Sequence, residues 1–124
     1  MVKIAICDDS SIQQEILKDR LIEFEQQYNI EFDVQTFANG ELLLEDVEMG
    51  NHFDVFVIDI IMSGPKGNEV AKELREKGEK GYILFYTATN VFEENVHEFD
   101  PALYILKTSS YKNFEDNLKI VLNL

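Results

Sequence analysis

What most constrains this chain is the alternation of two kinds of segment. Val2-Lys3-Ile4-Ala5-Ile6-Cys7 is short, apolar and rich in β-branched residues, so it reads as a strand. Ser10 or Ser11 then offers a helix N-cap, and Ser11 with Gln14 fits a capping box. Ile12, Ile16, Leu21, Phe24 and Tyr28 follow at helical spacing, to an end near Tyr28-Asn29. Phe32-Asp33-Val34-Gln35-Thr36 alternates apolar and polar residues, as an edge strand does with one face in solvent. Asn39 can cap a second helix carrying Leu43, Leu44 and Val47. Asp54-Val55-Phe56-Val57-Ile58-Asp59 is nearly all apolar until its last carboxylate, the pattern of a strand covered on both faces. Ser63-Gly64-Pro65-Lys66-Gly67 is a loop by composition. A third helix turns Val70, Ala71 and Leu74 inward and stops near Gly78-Gly81, with the Glu and Lys run from Lys72 to Lys80 on its solvated face. Tyr82 to Thr87 is a fourth strand. Asn90 with Glu93 can cap a short helix bearing Phe92, Val96 and Phe99, Leu103 to Lys107 is a fifth strand, and Phe114, Leu118, Val121 and Leu122 line a last helix.

Five strand–helix units in strict succession predict an α/β domain with a parallel sheet, right-handed crossovers and helices on both faces. The 124 residues suit one domain, 1–124, and any effector domain is expected outside them. There are 24 acidic and 11 basic residues, a net charge of −13. That excludes a chain gripping nucleic acid or an anionic membrane through its general surface, because phosphate contacts need Lys and Arg. The single Cys7 excludes an internal disulfide or a multi-thiolate metal site, and fits a cytoplasmic location. No apolar stretch approaches the length of a membrane span. His52 and His97 lack partners at ligand spacing and are taken as surface residues.

In an open parallel sheet the functional crevice lies beyond the carboxyl ends of the strands. The first strand delivers Asp8-Asp9 there, the third Asp59, the fourth Thr87 and the fifth Lys107. Three carboxylates in one crevice repel each other unless protons or a cation intervene. All-oxygen ligation suits a hard cation, and Mg2+ works with few carboxylates, waters and a phosphate oxygen. Lys107 and Thr87 can hold the oxygens of a transferring phosphoryl group, and Asp59 can act as nucleophile.

These residues are where a resemblance becomes plain. Asp8-Asp9 follows the first strand. Asp59-Ile60-Ile61-Met62 follows the third, with Gly67 eight residues after the aspartate. Thr87-Ala88 follows the fourth, and Tyr104-x-x-Lys107 lies in the fifth. Over essentially its whole length the chain resembles a receiver domain of the bacterial two-component response regulators. The resemblance implies a flavodoxin-like fold of five strands in order 2-1-3-4-5 with five helices. It implies that Asp59 accepts phosphate from the phosphohistidine of a sensor histidine kinase. Asp8, Asp9, Asp59 and the Ile61 backbone carbonyl would surround Mg2+, and Thr87, Ala88 and Lys107 would bind the phosphoryl group. Thr87 and Tyr104 would carry the signal to a face made by the fourth helix, fifth strand and fifth helix, a surface for homodimer formation. Such a domain is not an enzyme beyond its own phosphorylation and dephosphorylation. Ile61 and Thr89 would flank the phosphoryl group, and neither carries a carboxylate or carboxamide to position attacking water, so a long-lived acyl phosphate is expected.

Two positions depart from the family pattern. Ser63-Gly64 stands where a proline usually follows the methionine, and Thr108 stands where a proline usually follows the lysine. A cis bond before Thr108 would cost roughly 3 kcal/mol, so a trans bond is expected. Tyr104-Ile105-Leu106-Lys107 followed by a residue other than proline resembles regulators that carry a LytTR-type DNA-binding domain. DNA binding would then belong to that domain and not to this one. Two alternatives remain: a receiver-like interaction scaffold that takes no phosphate, and a Mg2+-dependent phosphatase with an aspartate nucleophile. The haloacid-dehalogenase-like phosphatases want Asp-x-Asp after the first strand, whereas Asp8 and Asp9 are adjacent. FMN binding is disfavoured because Asp8-Asp9 would repel the phosphate.

Overall fold

The computed structural model describes residues 1–124, and each of the five apolar runs forms a strand. These are β1 (Val2–Cys7), β2 (Phe32–Phe37), β3 (Val55–Ile58), β4 (Tyr82–Thr87) and β5 (Ala102–Leu106). They lie parallel in the order β2-β1-β3-β4-β5, so the expected 2-1-3-4-5 topology is present. The helices are α1 (Ser11–Tyr28), α2 (Gly40–Glu48), α3 (Gly67–Glu76) and α4 (Tyr111–Leu122), with a 3₁₀ helix at Glu93–Phe99 between β4 and β5. No helix is long and apolar enough to cross a membrane.

Strand side chains alternate between faces, so the sheet divides two cores. Ala5, Cys7, Phe56, Ile58, Ile83 and Phe85 point to one face, where α2, α3 and the 3₁₀ helix add Leu43, Val70, Leu74 and the half-buried Phe99. Ile4, Ile6, Val55, Val57, Leu84 and Ile105 point to the other, under Leu21 and Phe24 of α1 and Phe114 and Leu118 of α4. All four residues of β3 are buried, as its unbroken apolar run predicts. A fully buried Leu, Ile or Phe contributes roughly 1.5–3 kcal/mol, so these cores dominate the stability.

Local signals decide the helix ends, and several differ from expectation. Ser10, not Ser11, caps α1 by accepting from Gln13 N at 3.2 Å. Gln14 forms no capping box, because its amide donates to the Asp8 carbonyl at 2.8 Å. Asn39 caps α2 as expected, accepting from Leu42 N at 2.9 Å. Ile12 and Ile16 do not face inward: they are 70% and 40% exposed, and Leu17 takes the core position beside Leu21 and Phe24. The short helix after β4 is 3₁₀, starts from Phe92 and has no side-chain cap from Asn90. It contains no buried residue, so packing does not enforce the wider α-helical turn.

The Lys72–Lys80 run is also more than a solvated face. Arg75 donates to the carbonyls of Phe99 at 2.9 Å, Glu79 at 2.8 Å and Pro101 at 3.0 Å, tying the end of α3 to the entry of β5. Glu79 is buried and its carboxylate meets His52 Nδ1 at 3.0 Å. The cis peptide bond of the chain is Asp100–Pro101, so Lys107–Thr108 is trans, as expected.

Candidate functional site

The ladder hydrogen bonds at the carboxyl ends of the strands set the site. Asp59 N donates to the Cys7 carbonyl at 3.0 Å, which holds the end of β3 beside the end of β1. Asp8 N donates to the Phe37 carbonyl at 3.1 Å, on the β2 side. Lys107 N donates to the Thr87 carbonyl at 2.8 Å, fixing the end of β5 beside that of β4. These backbone bonds join the ends of β2, β1 and β3 in one group and those of β4 and β5 in another, before any side chain acts.

Into this frame Lys107 extends its ammonium. Nζ lies 2.7 Å from Asp8 Oδ2 and 2.9 Å from Asp59 Oδ2, bridging two carboxylates that are 6% and 9% exposed. Charge-assisted bonds of this length are the strong kind, and a buried carboxylate pair needs such a counter-charge. Burial alone would lower the lysine pKa, but the hydrogen bonds to Asp8 and Asp59 and their charges outweigh it, so the ammonium is held above its ordinary value. The second oxygens are also engaged. Asp8 Oδ1 accepts from Ser10 N at 2.9 Å, and Asp59 Oδ1 accepts from Ile61 N at 3.4 Å.

Asp9 stands apart from this triad. It is exposed, and its Oδ2 accepts from the backbone N–H of Ser63 at 3.1 Å. No three His, Cys, Asp or Glu side chains converge closely enough to hold a metal ion. The donors nonetheless match a hard cation in kind. They are carboxylate oxygens at two adjacent strand ends, plus the Ile61 carbonyl, which accepts no hydrogen bond from the protein.

The loop after β3 is built close to the acceptor. Gly67 N donates to the Ile60 carbonyl at 2.9 Å, and a Cβ on Gly67 would fall 2.2 Å from the Asp59 carbonyl oxygen. Met62 is buried with its sulfur 3.8 Å from Cys7 Sγ, and Lys66 Nζ returns to the Met62 carbonyl at 3.0 Å. Cys7 is wholly buried, and burial first, then Asp8, Asp59 and Asp9, push its thiol up to about 12. It is a core residue and not a reactive one.

Thr87 is fully buried at the end of β4, and Ala88 is exposed in the bend after it. The Thr87 hydroxyl oxygen accepts from Thr89 N at 3.5 Å, and the Tyr104 hydroxyl donates to the Thr89 carbonyl. One short backbone segment thus touches both side chains expected to act as a switch. Tyr104 is half-buried, with its ring 5.9 Å from that of Phe85, and burial raises its pKa. Ile61 is 57% exposed at the mouth of the site. Sequence reasoning missed the Ser63 donor, the clamp made by Arg75 and the Glu79–His52 pair. A backbone donor and carbonyl acceptors leave no mark in residue type.

Comparison with known proteins gives one consistent result. The sequence matches the response regulator receiver domain family over residues 4–119. It is 30% identical over 100 residues to the transcriptional regulatory protein CiaR of Streptococcus pneumoniae, covering 81% of this chain and 41% of CiaR. It is 24% identical over 119 residues to the sensory transduction protein LytT of Bacillus subtilis, covering 96% of this chain and 47% of LytT. The chain therefore spans less than half the length of these curated relatives. Among solved structures, the response regulator TrrA of Thermotoga maritima, in complex with Mg2+-BeF, superposes with a TM-score of 0.82 at 28% identity over 98% of this chain and 99% of that one. The BeF3-activated DrrB receiver domain superposes with a TM-score of 0.72 at 26% identity, over 100% of this chain and 99% of that one.

Proposed function

Because the chain belongs to the response regulator receiver domain family, we propose that it is a phosphorylation switch whose acceptor is Asp59. The observation that carries this reading is the Lys107 ammonium bridging the buried carboxylates of Asp8 and Asp59. In the reaction an Asp59 oxygen forms a bond to phosphorus while the P–N bond to the imidazole of a sensor histidine kinase breaks. The imidazole keeps the electron pair. Little covalent chemistry falls to the protein, which positions the groups and neutralises charge. Lys107, already oriented by two carboxylates, moves onto the phosphoryl oxygens. The Thr87 hydroxyl and the backbone at Ala88 supply hydrogen-bond donors on the same side.

Mg2+ would be held by Asp8, Asp9, Asp59 and the Ile61 carbonyl, and when bound it offsets the negative charge gathered there. TrrA, with Mg2+-BeF in its structure, supports that assignment by likeness. Phosphorylation adds about −1.5 to −2 charges. Thr87 and Lys107 are drawn toward the new oxygens, and the change reaches Tyr104 through the Thr89 segment. The output is altered binding at the face of the 3₁₀ helix, β5 and α4, either to a second copy or to an effector domain. CiaR is a transcriptional regulatory protein, which favours a DNA-binding effector as the destination.

The test is intact mass after incubation with acetyl phosphate and Mg2+, beside Asp59→Asn. A gain of about 80 Da, one phosphoryl group, seen only with Mg2+ and absent in the variant, is expected. A variant that still takes one equivalent would displace Asp59 as acceptor.

A further inference from the structure

Two separate devices engage the site carboxylates, and only one of them is the lysine. Lys107 neutralises Asp8 and Asp59. Asp9 is not part of that bridge, and its Oδ2 rests on Ser63 N–H at 3.1 Å. The donor is held firmly. Met62, the residue before it, is buried against Cys7, and Lys66 closes the loop by reaching back to the Met62 carbonyl. Gly64, the residue after it, adopts a φ of +75°, a turn that glycine makes without strain. A preorganised backbone N–H spends no side-chain entropy on its acceptor. Because it is a main-chain group, it is lost only if residue 63 is proline.

We infer that Ser63 is a positioning residue: its N–H is a latch that parks the Asp9 carboxylate away from Asp8 and Asp59, and a divalent cation must draw Asp9 off it to complete its oxygen shell. The inference rests on the proposed receiver chemistry, since it takes Asp9 to be a ligand of that cation. Its physical basis is the geometry. Asp8 and Asp59 share one ammonium, whereas no third carboxylate joins them closely enough to enclose an ion. Cation binding therefore includes breaking a charge-assisted hydrogen bond, and the latch weakens the apparent affinity by the free energy of that bond.

Mg2+ affinity measured by calorimetry on the parent, Ser63→Pro and Ser63→Ala tests this directly. Ser63→Pro removes the N–H and should bind Mg2+ more tightly by about tenfold or more, the usual net worth of one hydrogen bond to a charged group. Ser63→Ala keeps the N–H and should match the parent. Equal or weaker binding by Ser63→Pro, with Mg2+ still bound by the parent, overturns the latch and leaves the receiver reading standing. A parent that binds no Mg2+ overturns the receiver reading and the latch together. Should Ser63→Pro not fold, the Ser63 amide proton of the parent decides. Its resonance should move upfield and its exchange quicken as Mg2+ is added, and an unmoved, still protected amide at saturation overturns the latch.

Discussion

The carbonyl oxygen of Asp59 occupies the space into which any side chain on Gly67 would project, 2.2 Å from the ideal Cβ position. The obstacle is backbone and not the tip of a flexible side chain, so it cannot swing aside. Gly67 opens α3 while Asp59 directly follows β3, and the contact sets how closely helix and strand approach. Gly67→Ala should cost about 1–3 kcal/mol or more, in the range of overpacked cores. It should also displace the acceptor loop. Urea unfolding measures the first effect, and a loss below about 0.5 kcal/mol, the ordinary size for a benign surface change, would show that the loop yields freely.

Lys107→Met leaves Asp8 and Asp59 buried beside each other without a counter-charge. A loss of about 1–3 kcal/mol is expected in chelator, as for buried polar groups left unsatisfied. Millimolar Mg2+ should recover part of it by supplying the missing charge, since a ligand of the folded state stabilises that state. In the parent the ammonium is held above its ordinary value of 10.5. Its stabilising contribution is therefore complete below that value and is lost only as pH rises through the raised one. Unfolding curves with and without Mg2+ check the variant. Full parental stability in chelator would contradict the role given to the bridge.

Ile61 is exposed at the mouth of the site and offers attacking water no polar group. Ile61→Asn should hasten loss of the phosphoryl group about tenfold, well below the 10²–10⁴ of a full general base. Thr89→Glu should act in the same direction. Decay of phosphorylated protein followed by intact mass reads this, and an unchanged lifetime in both variants would remove these residues from the account.

Cys7 gives a pH prediction with a definite sign. Its thiol rises from 9.0 to about 12 in the folded chain. Between those values the unfolded chain loses the proton first, so stability falls as pH rises, by about 1.4 kcal/mol per unit. Cys7→Ala should flatten that slope. Thiol reagents at pH 8 should label the unfolded protein and spare the folded one, and rapid labelling of the native state would contradict the burial.

The strands and the site aspartates were legible because burial on both faces makes a β run continuously apolar, and a carboxylate at its end breaks the run sharply. Asp8, Asp59 and Lys107 each stood at such a break. The phase of α1 was less legible. The helix carries apolar residues on more than one face, so Ile12 and Ile16 fit an inward stripe as well as Leu17 does, and only packing against β1 and β2 chooses between them. The role of Arg75 was illegible for another reason. Its partners are carbonyls of Phe99, Glu79 and Pro101, groups that every residue carries. The short helix after β4 was legible as a helix but not as 3₁₀, since no buried residue fixes its pitch.

Lys107 follows the last of the five strands in sequence, whereas Asp8 follows the first. During synthesis the acidic residues therefore emerge well before the only ammonium that bridges them. Asp8 and Asp59 gain their counter-charge only where β5 lies beside β4 and brings Lys107 to them. Docking of β5 and neutralisation of the pocket are then a single event. A chain truncated before β5 would lack the charge partner of Asp59 as well as an edge of its sheet.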